Sequence, residues 1–236
     1  MSASFDNAVS AGLGFGVTTL TTGAFTIGSG TNRAAQVHLT MGGNAATAIT
    51  ASLGGTSGSL VAGTDSGSTT TTDRTMIFSV IAPPSGSKTA TASWTTAETA
   101  DLGVITAAGV DQTTPCNNGT FSAGASSGST SVALAVTSTS GDLAAACASV
   151  YQDALSSLSQ TVKWGIDSTS TAGAIGPGTG STTFTSVRPF TSDGFAMSGA
   201  NFKQAAAVGG AVMPPPGSHR PAPFAPGSTT VSRGGF

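Results

Sequence analysis

Few side chains in this 236-residue chain are equipped for chemistry. The histidines are His38 and His219, the cysteines are Cys116 and Cys147, and Glu98 is the only glutamate. Neither histidine has a Cys, His or acidic residue at metal-ligand spacing, and there is no Cys-x-x-Cys and no His-x-Glu. One Gly-x-Ser-x-Gly match exists, Gly124-Ala125-Ser126-Ser127-Gly128. A nucleophile elbow needs a strand before the serine and a helix after it. Glycine and serine surround this match on both sides, and the only downstream histidine, His219, sits among prolines. A chance match in a Gly/Ser-rich chain is the better account. Other glycine-rich stretches lack the Gly-Lys-Ser/Thr ending of a phosphate loop. No catalytic residue, cofactor or metal is therefore expected.

Glu98, Asp101 and Asp111 are the carboxylates to weigh for glycosidase chemistry, which needs two facing a cleft. Sequence alone does not show such a pair. Asp111 is expected to cap a β-turn through its side chain, and Asp142, in Ser140-Gly141-Asp142-Leu143, to do the same. Trp94, Trp164 and Tyr151 could stack on sugars, but both tryptophans alternate with apolar partners, which points to core packing. No row of aromatics lies on a polar face. Cys116 and Cys147 leave two readings open, one disulfide or two small buried thiols, and the thiols are the expectation.

The elements that hold these residues centre on Asp73–Pro115. Met76–Ile81 is a nearly continuous apolar run closed by Pro83, Pro84 and Gly86. In Lys88–Trp94, Ala90, Ala92 and Trp94 take one face, and Thr89, Thr91, Ser93 and Thr95 the other. Small alanines beside one indole predict that Trp94 fills the gap they leave. The threonine face should meet solvent or another subunit. After a short connection, Leu102–Val110 reads as a further strand.

Upstream, Phe5–Val9, Gly16–Leu20 and Ala24–Ile27 read as short β segments, either edge strands or an arm. Val37, Leu39 and Met41 alternate with Gln36, His38 and Thr40, the pattern of a half-buried strand with a polar outer face. Ala48–Leu53 and Ser59–Val61 are weaker strands, and Gly63–Thr72 is a loop. Downstream, Cys116–Thr130 reads as a loop and Ser131–Thr137 as a strand. Leu143–Leu158 is ambiguous: Leu143, Cys147, Val150, Ala154 and Leu158 recur at helical spacing, whereas a sandwich wants a strand to about Tyr151. The strand is preferred. Val162, Trp164 and Ile166 point inward from the next strand. Thr171–Gly180 reads as a glycine-rich loop, and Thr183–Val187 and Phe195–Phe202 as the last strands.

Composition agrees. Charged residues are 8%, against roughly 25% in an ordinary soluble domain. Thirty-three glycines, eleven prolines and long Ser/Thr runs favour turns and strands. A net charge of -2, with eight Lys and Arg, provides no basic patch, so nucleic acid is a poor partner. No run reaches 18 apolar residues, so no membrane span is expected, and Met1–Asn7 shows no secretory signal. Nine to twelve strands with frequent turn signals and no βαβ alternation predict an all-β, two-sheet antiparallel β-sandwich, jelly-roll-like. Residues 1–30 would be N-terminal strands or an arm, 31–204 the sandwich and 205–236 an extended Pro-rich tail, disordered or laid along a partner.

Several motifs then share an order with a known group. These are Gly28-Ser29-Gly30-Thr31-Asn32-Arg33, Thr89–Trp94, Gly109-Val110-Asp111-Gln112-Thr113-Thr114-Pro115 and Ser140-Gly141-Asp142-Leu143. Over residues 5–202 the chain resembles poorly characterised jelly-roll or lectin-like β-sandwich proteins of tailed phages and bacterial surfaces. Gly109–Pro115 is the most specific of the motifs. Cys147 and its alanines depart from the β-branched strand expected there, and the proline tail lies outside the resemblance. The resemblance implies no catalytic residues. With the neutral surface and arm-like tail, it implies a virion structural protein: a capsid decoration, head-fibre or tail accessory subunit. Its partners would be other virion proteins or further copies of itself. The alternatives are a carbohydrate-binding or adhesive surface module, and a self-assembling extracellular filament or surface-layer subunit.

Overall fold

The computed structural model describes residues 2–43, 45–63, 73–124, 130–150, 155–165, 171–187 and 194–206. The Pro-rich segment 207–236 lies outside the described residues, as do Tyr151, Ile166 and residues 64–72, where a loop is expected from sequence. In chain order the strands are β1 (Ser4–Ser10), β2 (Gly14–Thr21), β3 (Phe25–Ile27), β4 (Ala34–Gly42), β5 (Thr50–Leu53), β6 (Thr56–Ser57) and β7 (Ser59–Gly63). There follow β8 (Asp73–Ile81), β9 (Gly86–Lys88), β10 (Ala90–Ala108), β11 (Cys116–Gly124), β12 (Ser131–Thr137) and β13 (Leu143–Val150). The last are β14 (Ser157–Leu158), β15 (Thr161–Gly165), β16 (Thr171–Pro177), β17 (Ser181–Val187) and β18 (Phe195–Phe202). The fold is all-β and antiparallel, with no helix among the described residues.

β10 organises the molecule. It runs 19 residues unbroken, where the sequence predicted two strands and a connection. The reason is a change of neighbours. Ala90–Ser93 pairs with β5 and Thr99–Ala107 with β4 on one edge. On the other edge Thr91–Ala100 pairs with β2 and Gly103–Ala108 with β1. The polar residues that look like a connection are mid-strand residues passing from one set of partners to the next.

The sheet that results is eight-stranded, in the order β6-β5-β10-β4-β8-β7 with β1 and β2 along β10. One face curls over a dry core: Val37, Leu39, Met41, Met76, Phe78 and Val80 meet Ala92, Trp94 and Leu102, with Phe25 and Ile27 of the small β3-β9 ribbon. Its other face packs on a five-stranded sheet, β11-β18-β13-β16-β15. The back of that sheet is covered in turn by β12-β17-β14, through Leu134, Val136, Phe184 and Met197. The sandwich thus has a third, smaller layer. The lateral edges are closed too. Gly119 of β11 lies against the Val61 carbonyl of β7, and Lys163 of β15 rests its ammonium 4.0 Å above the Phe5 ring of β1.

This layering corrects several expectations. β4 is buried on both faces rather than half-buried, because the five-stranded sheet covers its polar side. Cys116–Gly124 is a strand, its pairing with β18 interrupted between Asn117 and Thr120, where Asn118 has φ 52°. Thr171–Pro177 is a strand too; its Gly and Ala side chains give no alternation because Thr171–Gly176 is buried on both faces. Leu143–Val150 is a strand, as preferred, and its alanines lie against sheets on both sides. Val162 and Trp164 do not share a face. A bulge between them turns Val162 to the third layer and Trp164 to the eight-stranded sheet.

Candidate functional site

Between the two large sheets a seam of polar side chains, among them Gln36, His38, Thr40, Asp73 and Asp101, each 1% exposed or less, runs beside the apolar contact of Ile77, Ile105 and Phe202. Gln36 Nε2 donates to Cys116 Sγ (3.5 Å) and to the Ala200 carbonyl (3.4 Å), while its Oε1 accepts from His38 Nε2 (3.1 Å). His38 meets Trp164 edge-on, with ring centroids 5.8 Å apart. Burial holds the imidazole neutral and lowers its pKa to about 3. The indole of Trp164 lies in a slot between Gly103 of β10 and Gly173 of β16, and a Cβ on either glycine would overlap the ring. The polar face of β4 is therefore an interior seam.

Where this seam reaches the start of β8, the end of β13 and the start of β16, it opens into a cavity of about 240 Å³. Thr40, Asp73, Asp101, Ser149 and Thr171 supply its polar wall; Leu13, Phe15, Met41, Ala100 and Val150 supply the apolar one. The pairings Asp101↔Thr40 and Asp73↔Gly42 put both carboxylates on one face of the sheet, flanking β4. Two strand spacings separate them, roughly 10 Å. Asp101 accepts from the Leu102 amide (2.7 Å), Ser10 Oγ (3.3 Å) and Thr171 Oγ1 (2.7 Å), tying three strands of both sheets together. Asp73 Oδ1 accepts from Ser149 Oγ (3.5 Å) across the same gap. Phe15 stands 73% exposed among the lining residues. The recess can take hydrogen-bond donors such as polyol hydroxyls or an ammonium group.

The residues singled out from sequence do not converge here, apart from Asp101. Glu98 Oε1 accepts the Ala45 and Ala46 amides (2.9 and 3.2 Å), while Arg74 donates to the Gly43 and Ala46 carbonyls (3.1 and 3.0 Å). One glutamate and one buried arginine thus pin both polarities of a single loop. Asp111 caps its turn through the Thr113 and Thr114 amides (2.8 and 3.0 Å) and pairs with Lys203 (3.1 Å). These bonds lower its pKa to about 2, the backbone amides first. Asp142 accepts Thr139 N (2.8 Å), Asn201 Nδ2 (2.7 Å) and Gln204 N (2.8 Å), holding the β12–β13 turn to the end of β18.

Trp94 is core, its Nε1 donating to the Val17 carbonyl (3.0 Å). Cys116 and Cys147 are free thiols. Cys116 pairs with Phe202, and Phe202 with Leu143, so Cys147 stands four residues further along, beyond disulfide reach. Burial pushes the thiols up to about 11 and about 12. Ser126 and His219 lie outside the described residues. Among the described residues no group of three His, Cys, Asp or Glu could hold a metal, and no helix is long and apolar enough to cross a membrane.

Sequence reasoning missed Asp73, Ser149, Thr171 and Phe15 as neighbours. Only Phe15 carried a local signal, a large aromatic set between Gly14 and Gly16. No family model matches the chain, and no curated protein matches it as a relative.

Proposed function

We propose that the chain is a non-enzymatic structural subunit of a virion, a capsid decoration, head-fibre or tail accessory protein assembled beside other virion proteins or further copies of itself. One observation carries this reading: the side chains best equipped for chemistry are engaged as fasteners. Asp101 stitches two sheets, Asp142 ties a turn to the last strand, and Glu98 with Arg74 fixes one loop. His38 is sealed and neutral, and both thiols are buried. The order of motifs over residues 5–202, the 8% charge and the proline-rich C-terminal segment support the same reading. Quantitative mass spectrometry of particles purified from a culture encoding the chain tests it. The chain should appear in fixed ratio to the shell protein; its absence from particles overturns the proposal.

A second reading, a carbohydrate-binding or adhesive module, is favoured by the cavity with Phe15 and its hydroxyl and carboxylate wall. Glycan-array binding that Phe15→Ala abolishes would support it, and an empty array would remove it.

A further inference from the structure

The first half of β10 faces outward on the side opposite Trp94, and its neighbours match it hydroxyl for hydroxyl. Pairing sets Thr21, Thr91 and Ser52 in one row across β2, β10 and β5, and Thr19, Ser93 and Thr50 in the next. Thr95 and Thr47 form a third, shorter row beyond the point where the β2 register shifts. Ser57 of β6 extends the first row by pairing with Ser52. Hydroxyls within rows touch: Thr21 and Thr91 at 3.0 Å, Thr19 and Ser93 at 3.1 Å, Thr47 and Thr95 at 3.0 Å. The Thr21–Thr91 pair keeps one proton for an outside partner, whereas Thr19 also donates to the Ala92 carbonyl (3.0 Å) and Thr95 to the Thr47 carbonyl (3.2 Å), so the other two pairs offer lone pairs alone. None of these positions carries a charge or an aromatic ring. Ala90, Ala92 and Trp94 back the grid from the buried side and hold it rigid.

We propose that this grid is a binding face for an ordered water lattice, that is, for ice. Three strands and three rows cover roughly 15 by 20 Å, about 300 Å², with a repeat of about 4.8 Å across strands and 6.7 Å along them. That area falls well short of the ~800 Å² per partner of a stable protein interface. A soluble sugar would trade hydrogen bonds with water one for one, and the grid offers no aromatic ring to add stacking. A crystal of water is different. It presents neutral donors and acceptors on a two-dimensional repeat, so many weak contacts form at once and desolvate no charge. The threonine methyls between the hydroxyls order the first water layer, and the hydroxyls anchor it.

Ice-affinity partition of the full chain tests this: slowly grown ice is melted and assayed for protein, and recrystallisation of fine-grained ice is scored beside it. The chain should be enriched several-fold in the ice fraction over a non-binding control protein and should slow grain growth. Thr91→Tyr and Ser93→Tyr put bulk into the grid at its surface and should abolish both effects with the melting temperature kept. Thr183→Tyr, on an outward face where β12 offers Ala135 opposite, should leave both intact. Exclusion of the wild-type chain from ice, or equal loss in Thr91→Tyr and Thr183→Tyr, overturns the proposal. So does binding to insoluble chitin or cellulose that Thr91→Tyr removes while ice partition is absent. None of these outcomes depends on whether the chain is found in particles.

Discussion

The two halves of β10 project their odd-numbered side chains from the same side of one sheet, yet they live in different solvents. In the first half those side chains are Thr91, Ser93 and Thr95, which carry hydroxyls into water. In the second they are Asp101, Gly103, Ile105 and Ala107, all sealed under a second sheet. The other face is apolar along most of the strand, from Ala90 through Trp94 to Val104. Backbone geometry is shared, so the difference lies in the cover. Where β15, β16 and their sheet lie over β10, the residues become small or apolar and the one charge acquires three donors. Where no other described strand covers it, the pattern reverts to the alternation of a half-wet strand.

Substitutions should separate the halves by size of effect. Trp164→Ala empties the slot between Gly103 and Gly173 and should cost about 3–5 kcal/mol, read from urea unfolding midpoints. A loss below about 1 kcal/mol would mean that the two sheets are not in close contact at the indole.

His38, paired with Gly103 in register, sharpens the same contrast through pH. Its folded pKa of about 3 lies below the ordinary value of 6.5, so the unfolded state takes up the proton first. Stability from this residue is complete above about pH 6.5 and is lost as pH falls toward 3, at ~1.4 kcal/mol per unit. Urea titrations between pH 7 and 4 should show that slope, and His38→Gln should flatten it.

Asp101→Asn turns a donor toward partners that already donate and should cost about 1–3 kcal/mol by the same assay. At the small end, Thr91→Val removes an exposed hydroxyl in the open half and should stay within about 0.5 kcal/mol of the parent. A larger loss there would show that the hydroxyl rows are a stabilising ladder and would erase the distinction between the halves.

Legibility from sequence follows the same divide. Alternation is visible wherever one face is wet, so Ser131–Thr137 and Thr183–Val187 read correctly as strands, and Lys88–Trp94 does so from Ala90 onward, the strand breaking at Thr89 between β9 and β10. Strands buried on both faces and built from small residues, such as Thr171–Pro177, carry no contrast between faces and resemble loops. The alternation of β4 is plain in the sequence, but its polar side looks like an outer face because no local signal announces a covering sheet. The cavity was illegible for a related reason. Asp73 and Asp101 become neighbours through their separate pairings with β4, and nothing within 28 positions of chain records that meeting.

The position of β18 has a consequence for the order of events in biosynthesis. It is the last strand in the described chain, yet it lies between β11 and β13, which come 50 to 80 residues earlier. A nascent chain must therefore keep two open edges unpaired until Phe195–Phe202 has left the ribosome. Such high contact order predicts closure on the millisecond-to-second scale, with a window in which those edges can capture a neighbouring chain instead.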